Sequence, residues 1–373
     1  MSTTGNFRGK LPTGLRTLVI VVWIAGATSI ACGADSIRQY QFATAPGGYR
    51  LVQKTVAMPV AGPHEVLVRV RATSLNRRDI YMLSDNYGAP GSAVGGIPLS
   101  DGAGEVIAVG NGVTRFEVGD RVAGIFFPTW IDGLPSAAAL GLARGGGNAG
   151  MLSEVIVSDE DALVTIPDHL TFEEAATLPC AAVTAWVGLF KRGGMEPGDY
   201  VLLEGTGGVS VFGLIFSVAA GAKPIITSSS NAKLAHAQEL GAFGTANYRE
   251  NADWHKTVLD MTDGVGVHQV LEVGGRDTLP KALEILAYGG HIALIGGLSG
   301  FGAEIPTGAL MFRNATASGI YVGSRADFEA MNAFIAKHRL RPLIDKVFEF
   351  DEAPAAFEYM DSGSFMGKIV IRL

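Results

Sequence analysis

The sequence feature that most constrains the fold is a glycine-rich turn that joins a short apolar strand to a helix. The strand is Tyr200-Val-Leu-Leu-Glu204, the turn is Gly205-Thr-Gly-Gly-Val-Ser210, and a helical pattern continues over 209–220. Gly205 permits a tight turn, and Gly207 allows the backbone to approach a pyrophosphate at the helix N-terminus. Ser210 replaces the third glycine of the G-x-G-x-x-G pattern, and its side chain is small enough for close helix–strand packing. A plain glycine turn is the alternative, but the strand–turn–helix context favours a dinucleotide site.

The pattern around this turn predicts an α/β fold. After residue 167 strands and helices alternate, which is typical of a parallel sheet covered on both faces. The preceding residues, 36–167, form short strands separated by glycine turns, which indicates a barrel or a partly closed sheet. The chain has 373 residues, enough for two or three domains at roughly 100–200 residues each. The predicted strands are 64–72, 102–113, 116–124, 200–204, 223–228, 267–273, 291–297 and 368–372, and the predicted helices are 209–220, 232–240, 278–287 and 327–338.

Composition excludes several classes of protein. Hydrophobic residues make up 48% of the chain and charged residues 17%, which supplies apolar material for large cores and rules out a disordered chain. The formal net charge of −7 provides no basic surface and argues against nucleic acid as a partner. With two cysteines in the whole chain, neither a disulfide scaffold nor a four-thiolate zinc site can form.

The N-terminal segment, residues 1–35, differs from the rest of the chain. Basic residues precede an apolar run at 18–27, and small residues follow it, which is the order of a secretory signal. Acylation of Cys32, an uncleaved anchor that associates with a membrane through residues 17–32, and a mis-assigned start codon are the alternatives. Localisation therefore stays open between export, membrane anchoring and the cytoplasm.

The end of the second predicted strand bears on the choice of cofactor. NAD sites place an acidic residue there, which binds the ribose 2′-hydroxyl. This chain has Thr227-Ser-Ser-Ser-Asn231 followed by Lys233, so hydroxyls and an ammonium are available to bind a 2′-phosphate. The sequence favours NADPH over NADH, and a serine-rich helix cap is the structural alternative.

Several motifs resemble the medium-chain dehydrogenase/reductase superfamily, and in particular its zinc-free, quinone oxidoreductase-like branch. The resemblance covers residues 37–373 and implies a GroES-like β-barrel catalytic domain at 36–166, a Rossmann domain that binds NADP at 167–315, and a C-terminal segment at 316–373 that returns to the first domain. It also implies a homodimer. The motifs that carry it are Ala72-Thr-Ser-Leu-Asn-Arg-Arg-Asp79, Asp101-Gly-Ala-Gly-Glu-Val106, Phe116-Glu-Val-Gly-Asp-Arg-Val122, Leu178-Pro-Cys-Ala-Ala-Val-Thr-Ala-Trp186, the glycine turn, Gly289-Gly-His291 and Gly367-Lys-Ile-Val370.

The resemblance also implies that the catalytic zinc of related enzymes is missing. The positions that match their zinc ligands are Asn76, Ser100-Asp101 and Cys180. Of these, Cys180 keeps a good ligand, and one thiolate cannot build a three-ligand zinc site. We therefore expect no zinc, and we expect Cys180 to be a buried thiol near the cofactor.

The same resemblance assigns roles to individual residues. Asn76 is the candidate for orienting the oxygen of a small electrophilic substrate. Arg77, with Arg78, is a candidate for stabilising a developing anion, and a surface ion pair with Asp79 or Glu105 is the alternative. The predicted cofactor-binding residues are Gly205, Gly207, Gly208 and Val209 at the pyrophosphate, Thr184, Ile295 and Gly296 near the nicotinamide and its ribose, Ser229, Ser230 and Lys233 at the 2′-phosphate, Tyr248 at the adenine, and Lys368 close to the cofactor.

These observations predict an NADPH-dependent, metal-independent oxidoreductase that transfers hydride to a quinone or to an alkene or carbonyl already activated for attack. Without a Lewis acid, a polarised carbonyl relies on hydrogen-bond donors and on the electrostatics of the site. Two alternatives remain open: an alcohol dehydrogenase-like enzyme with an unusual metal site, and a non-catalytic protein that binds NADPH. The loop at 128–150 contains few charges and many small residues, and we expect it to cover the substrate cleft.

Overall fold

The computed structural model describes Gly5, residues 36–84 and residues 94–373. The chain divides into two compact units, 1–34 and 35–373, and the account below concerns the second. The predictions of a signal peptide, an anchor or an acylated Cys32 lie outside the described residues. Within the described residues, no helix combines the length and the apolar character needed to span a bilayer.

Strands and helices appear in the order that the alternating pattern predicts. The strands are β1 Ser36–Ala45, β2 Gly48–Ala57, β3 Glu65–Ser74, β4 Asp101–Val109, β5 Arg121–Gly124, β6 Val155–Asp159, β7 Leu163–Thr165, β8 Tyr200–Leu203, β9 Lys223–Ser228, β10 Gly244–Asn247, β11 Val267–Glu272, β12 Leu286–Leu294, β13 Thr316–Gly319, β14 Ile344–Glu349 and β15 Lys368–Arg372. The α-helices are α1 Arg77–Leu83, α2 Ala137–Leu140, α3 Phe172–Ala175, α4 Val183–Trp186, α5 Gly208–Ala219, α6 Asn231–Glu239, α7 Trp254–Met261, α8 Leu279–Glu284, α9 Thr307–Met311, α10 Arg325–His338 and α11 Ala353–Ser362.

A six-stranded sheet forms the centre of the second half of the chain. Its strand order is β10-β9-β8-β11-β12-β13, and every pairing along it is parallel. The chain starts in the middle, at β8, runs outward to β10 and then returns to build the other half from β11. That order is doubly wound, and it places the carboxyl ends of β8 and β11 side by side at the switch point where such sheets bind ligands.

The other half of the unit is a largely antiparallel sheet with the order β14-β15-β3-β4-β5-β7, and β6 pairs with β3. Its inner faces carry alternating apolar residues, and Val66, Val68 and Val70 of β3 are all buried, as period-two patterning predicts. The last strand pairs antiparallel with β3 through Val370 and Ser74. The C-terminal segment thus brings Lys368 back to the first domain.

The predicted α/β class and its two kinds of sheet are confirmed, and two local predictions need correction. The helix predicted at 278–287 ends at Glu284 because Leu286 already belongs to β12, where it pairs with Val267 of β11. The region 128–150, predicted as a loop, contains the short helix α2, which Ser136 caps through its side chain. Tertiary pairing overrides local helical pattern in the first case, and an N-cap creates a helix in the second.

Candidate functional site

The glycine turn after β8 has the geometry of an anion-binding helix N-terminus. Gly205 has φ +73°, a left-handed conformation that glycine adopts without strain. At Gly207, the N-cap of α5, an added Cβ would meet no described atom within 4 Å, so the backbone lies open to a ligand. Ser210 donates a 2.6 Å hydrogen bond to the carbonyl of Glu204. This contact is a structural role for the serine that replaces the third glycine of the motif.

The C-terminal strand reaches this turn directly. Gly207 and Gly367 form a parallel bridge, and the amide of Gly367 donates to the carbonyl of Thr206. The side chain of Lys368 then passes so close to Gly208 that a Cβ there would lie 2.7 Å from its Cδ. Gly208 is therefore needed for the approach of the lysine as well as for that of a ligand.

Lys368 ends in a buried cluster of oxygen atoms. Its side chain is 3% exposed, and its Nζ donates to the carbonyl of Leu75 at 2.6 Å and to Oδ1 of Asn76 at 2.7 Å. Oδ2 of Asp101 lies 3.6 Å from the same nitrogen. Three oxygen neighbours match the three donors of an ammonium group. Lys368 and Asn76 were both predicted in the site, and the structure brings them into contact.

Asp101 is the acidic member of this cluster. Its Oδ1 accepts from the hydroxyl of Ser100 at 2.7 Å, and its Oδ2 accepts from the backbone amide of Cys180 at 3.3 Å. Burial raises the pKa of Asp101, and the Lys368 ammonium opposes that shift. Burial also raises the pKa of the Cys180 thiol well above its ordinary range. Cys180 is therefore a neutral thiol at physiological pH.

This donor set does not suit a zinc ion. The positions that match zinc ligands carry an amide, a carboxylate and a protonated thiol, and the ammonium of Lys368 lies between the first two. A cation placed beside that ammonium would be repelled, and one thiolate with one carboxylate falls short of the three ligands of a catalytic zinc. Among the residues that the structure describes, no group of three His, Cys, Asp or Glu side chains is arranged to bind a metal.

Helix α1 positions Asn76 at its N-cap. Asp79 accepts a 2.7 Å hydrogen bond from the backbone amide of Asn76, and burial raises the pKa of Asp79 to about 6. Arg77, the second candidate catalytic residue, instead pairs with Asp361 at 3.4 Å and lies over the ring of Tyr81. The predicted alternative, pairing with Asp79 or Glu105, is wrong.

Arg78 and the loop at 128–150 surround a different region. Arg78 is buried, donates to the carbonyl of Arg144 at 2.8 Å and lies over the ring of Phe126. Arg144 and other residues of the loop line a cavity of about 400 Å³ together with residues of 157–162. None of the predicted cofactor-binding residues lines this cavity. The chemistry therefore centres on Lys368 and the glycine turn rather than on this cavity.

The predicted 2′-phosphate end is assembled at the start of α6. Ser230 caps the helix by accepting from the amide of Lys233 at 3.4 Å, so the cap proposed as the structural alternative is present. Ser229 precedes this cap at the end of β9, and the amide of Tyr248 donates to the carbonyl of Ser228. Lys233 itself donates to two carbonyls, those of Gly363 at 3.0 Å and Phe365 at 2.7 Å. Its ammonium thus lies at this end and ties α6 to the C-terminal segment.

The nicotinamide end is lined by a buried helical segment and by the end of β12. Thr184 is 4% exposed and lies in α4, between π-helical turns at Leu178–Ala182 and Val187–Arg192. Such turns are common at functional sites. The amides of Ile295 and Gly296 both donate to the carbonyl of Glu272, which fixes the backbone just beyond β12.

A pair of buried carboxyl groups lies directly beneath the glycine turn, and sequence reasoning missed it. Glu204 and Glu272 follow the paired residues Leu203 and Leu271 of β8 and β11, so their side chains leave adjacent strands at the same level. Glu204 accepts from the amides of Val273 and Gly274 at 3.3 Å. The outer oxygens, Oε1 of Glu204 and Oε2 of Glu272, are buried and bonded to no third group among the described residues.

Burial raises the pKa of Glu204 well above its ordinary value, and the charge of Glu272 raises it further. Two such groups cannot both be ionised side by side in a dry interior, so the pair retains a proton near neutral pH. The signal in the sequence was the glutamate that ends each of two apolar strands. It becomes informative once β8 and β11 are known to be neighbours.

Comparisons with known proteins agree with this architecture. Residues 62–168 match the family model described as alcohol dehydrogenase GroES-like domain, and residues 208–337 match the model described as zinc-binding dehydrogenase. A zinc-type alcohol dehydrogenase-like protein of Schizosaccharomyces pombe is 43% identical over 88% of this chain and 94% of its own length. A quinone oxidoreductase of Pseudomonas aeruginosa is 32% identical over 90% of this chain and 99% of its own length.

Solved structures show the same fold. A crystal structure of a candidate alcohol dehydrogenase from Sinorhizobium meliloti 1021 superposes with a TM-score of 0.86 at 38% identity. The match covers 91% of this chain and 99% of that one. The likeness therefore extends over both sheets and over the C-terminal return.

Proposed function

The chain belongs to the medium-chain dehydrogenase/reductase superfamily, and we propose that it is an NADPH-dependent, metal-independent reductase of quinones or of alkenes conjugated to a carbonyl. The coarser statement follows from the family: the protein is an NAD(P)-dependent oxidoreductase of the alcohol dehydrogenase, quinone reductase or enoyl reductase type. The observation that carries the finer proposal is the buried ammonium of Lys368 among Asn76 and Asp101.

The residues at the glycine turn fit a dinucleotide. The open backbone at Gly207 and the free amides at the start of α5 would hold the pyrophosphate, as helix N-termini do for anions. Gly205, Gly208 and Val209 complete that turn, and Thr184, Ile295 and Gly296 would border the nicotinamide riboside. When bound, the reduced cofactor supplies a hydride. The protein contributes binding, orientation and electrostatics.

Charge at the start of α6 supports NADPH over NADH. The strand β9 ends in serines, and the carboxylate that binds a ribose 2′-hydroxyl in NAD sites has no counterpart there. Ser229, Ser230 and Tyr248 would face the ribose and adenine, and the ammonium of Lys233 lies in the same region, held by two carbonyls. An ammonium attracts a 2′-phosphate more strongly than a 2′-hydroxyl.

The donor set around Asn76 suits an acceptor that is already electrophilic. Oxidation of a simple alcohol requires a strong Lewis acid or base to stabilise an alkoxide, and the protonated Cys180 and amide of Asn76 provide neither. A quinone or an enone needs hydrogen-bond donors at the oxygen that becomes negative as the hydride arrives. Asn76 can provide such a donor.

The test uses the full chain with NADPH and, separately, NADH, and follows absorbance at the reduced nicotinamide band against a panel of quinones, enones, aldehydes and alcohols. We expect oxidation of NADPH with quinones or enones in protein whose zinc content, measured on the same sample, is far below one per chain. The zinc-type relative in Schizosaccharomyces pombe favours an alternative, a metal-dependent alcohol dehydrogenase. Stoichiometric zinc together with alcohol turnover would establish that alternative. Tight NADPH binding without turnover of any compound would indicate a non-catalytic binding protein.

We also propose that the protein forms a homodimer through its parallel sheet. The strand β13 lies at the end of the described strand order, so its outer edge is available for pairing. Large apolar side chains near that edge are exposed, with Phe301 at 85%, Phe312 at 78% and Met311 at 67%. Exposed apolar surface beside an open sheet edge supports a second copy of this chain as the partner.

A further inference from the structure

The cluster at the end of β15 contains a feature that the proposed reaction has not yet used. An asparagine amide can present either its oxygen or its nitrogen to a neighbour, and the two choices have opposite consequences for a substrate. At Asn76 the choice is decided by a buried charge, since the ammonium of Lys368 donates to Oδ1 at 2.7 Å. An ammonium has donors and no acceptor, so Nδ2 cannot occupy that place.

We infer that Lys368 is a positioning residue: its ammonium fixes the amide of Asn76 so that Nδ2 is the end that donates a hydrogen bond to the substrate oxygen. The inference rests on the proposed reductase function and names the group that recognises the substrate. It also defines the ligand chemistry, since the site then takes an oxygen that accepts a hydrogen bond and becomes negative during reduction.

The free end of the amide supports this inference. Asn76 is 8% exposed, and its Nδ2 is buried and makes no hydrogen bond with any described residue, although it lies near the Asp101 carboxyl. Leaving a buried N–H group unpaired costs about 1–3 kcal/mol. A pair of donors left in this state at the N-cap of α1 is consistent with a site that a ligand oxygen completes.

The surroundings of Lys368 explain why it can hold this orientation rather than serve the substrate directly. Its other donors face the carbonyl of Leu75 at 2.6 Å and Oδ2 of Asp101 at 3.6 Å. Its methylene chain is confined beside Gly208, where a Cβ would lie 2.7 Å from Cδ. With three oxygens for three donors, the ammonium has little capacity left for the substrate, and its action passes through Asn76.

The first experiment compares Lys368→Met, Asn76→Ala, Asn76→Asp and the double variant Lys368→Met/Asn76→Ala with the wild type, using whichever panel compound is reduced fastest. Removing one preorganised donor from an oxyanion site costs about 10²–10³ in kcat, so we expect each single variant to lose about 100-fold in kcat at saturating NADPH. Asn76→Asp tests donation specifically, because its carboxylate still pairs with the ammonium and has no N–H. The double variant should be no worse than Asn76→Ala, since the lysine acts through the asparagine.

Two results would overturn the inference. One is a Lys368→Met enzyme whose NADPH Kd rises while kcat at saturation is unchanged, because Lys368 would then be a cofactor ligand. The other is full additivity of the two substitutions, which would mean that they act separately. Lys337→Met, an exposed lysine at the end of α10, is the matched control and should change neither constant.

Lys368→Met leaves the buried Asp101 carboxylate without its cation and can prevent folding. The variant Lys368→Met/Asp101→Asn removes both charges, and it should fold and still lose kcat. A readout independent of turnover separates this inference from the proposed function. In protein labelled with ¹⁵N-asparagine, the Asn76 amide signals, identified by their loss in Asn76→Ala, should shift or broaden in Lys368→Met/Asp101→Asn. If the wild type reduces no compound, the proposed function fails, and unchanged Asn76 signals would independently refute the positioning role.

Discussion

The carboxyl pair beneath the glycine turn makes a quantitative prediction about stability and pH. Glu204 has a folded-state pKa raised by burial and by Glu272, whereas a glutamate in the unfolded chain titrates near 4.3. Above that pH the unfolded state releases a proton that the folded pair still holds. The stabilisation from this pair is therefore complete in acid and is lost as the pH rises toward the raised pKa.

The substitution Glu204→Gln removes this proton linkage while keeping the shape of the side chain. Its amide oxygen can still accept from Val273 and Gly274, and its NH₂ group can donate to the unpaired oxygen of Glu272. A difference of one bound proton changes the free energy of unfolding by about 1.4 kcal/mol per pH unit. We therefore expect the variant to gain on the wild type by up to that slope between about pH 5 and pH 8, until the native pair loses its proton.

Urea denaturation of the full chain at several pH values, at constant ionic strength, measures this difference. Glu239→Gln, an exposed residue of α6, is the control and should follow the wild type at every pH. Glu204→Ala should be less stable throughout, since it leaves two backbone amides without an acceptor at about 1–3 kcal/mol each. Parallel stability curves for wild type and Glu204→Gln from pH 5 to pH 8 would refute the shared proton.

Three further predictions concern the cofactor site and the partner. Gly207→Ala should change the free energy of unfolding by less than about 1 kcal/mol, because its Cβ meets nothing in the protein, yet it should raise the NADPH Kd at least tenfold by obstructing the pyrophosphate. Unchanged affinity in fluorescence titration would contradict that placement. Lys233→Met should weaken binding of NADPH much more than that of NADH, and equal losses would show that the lysine acts through the Gly363 and Phe365 carbonyls alone. Phe312→Glu, at a 78% exposed position, should convert the dimer to a monomer in light scattering with little change in Tm, and an unchanged mass would place the interface elsewhere.

Elements with strong local patterns could be predicted from the sequence. The strands β9 and β15 have the bounds that their apolar runs predict, and the helix after the glycine turn begins one residue before its predicted start. The glycine turn itself is recognisable because φ > 0 at one position and open backbone at another are properties of glycine alone. The family motifs extended this prediction to both domains.

The composition of the site could be predicted less well than its location. Lys368 and Asn76 were both predicted as site residues, but their contact joins positions 292 residues apart. It depends on the pairing of β15 with β3, which no local pattern specifies. Arg77 shows the converse, since its partner Asp361 belongs to α11, an element that the analysis of the sequence did not connect with α1.

The sequence by itself determined the class of protein: a strand–glycine–helix turn in an alternating pattern requires a dinucleotide fold, and the absence of thiol and imidazole ligands at matching positions argues against a zinc enzyme. Only the tertiary structure decided what stands in their place. Strand order brings Glu204 beside Glu272 and Lys368 beside Asn76 and Asp101, and burial then sets which of these groups hold protons. Periodicity along a chain reports which face of each element is buried, but interactions between charges depend on distances across elements, and these exist only after the sheets are assembled.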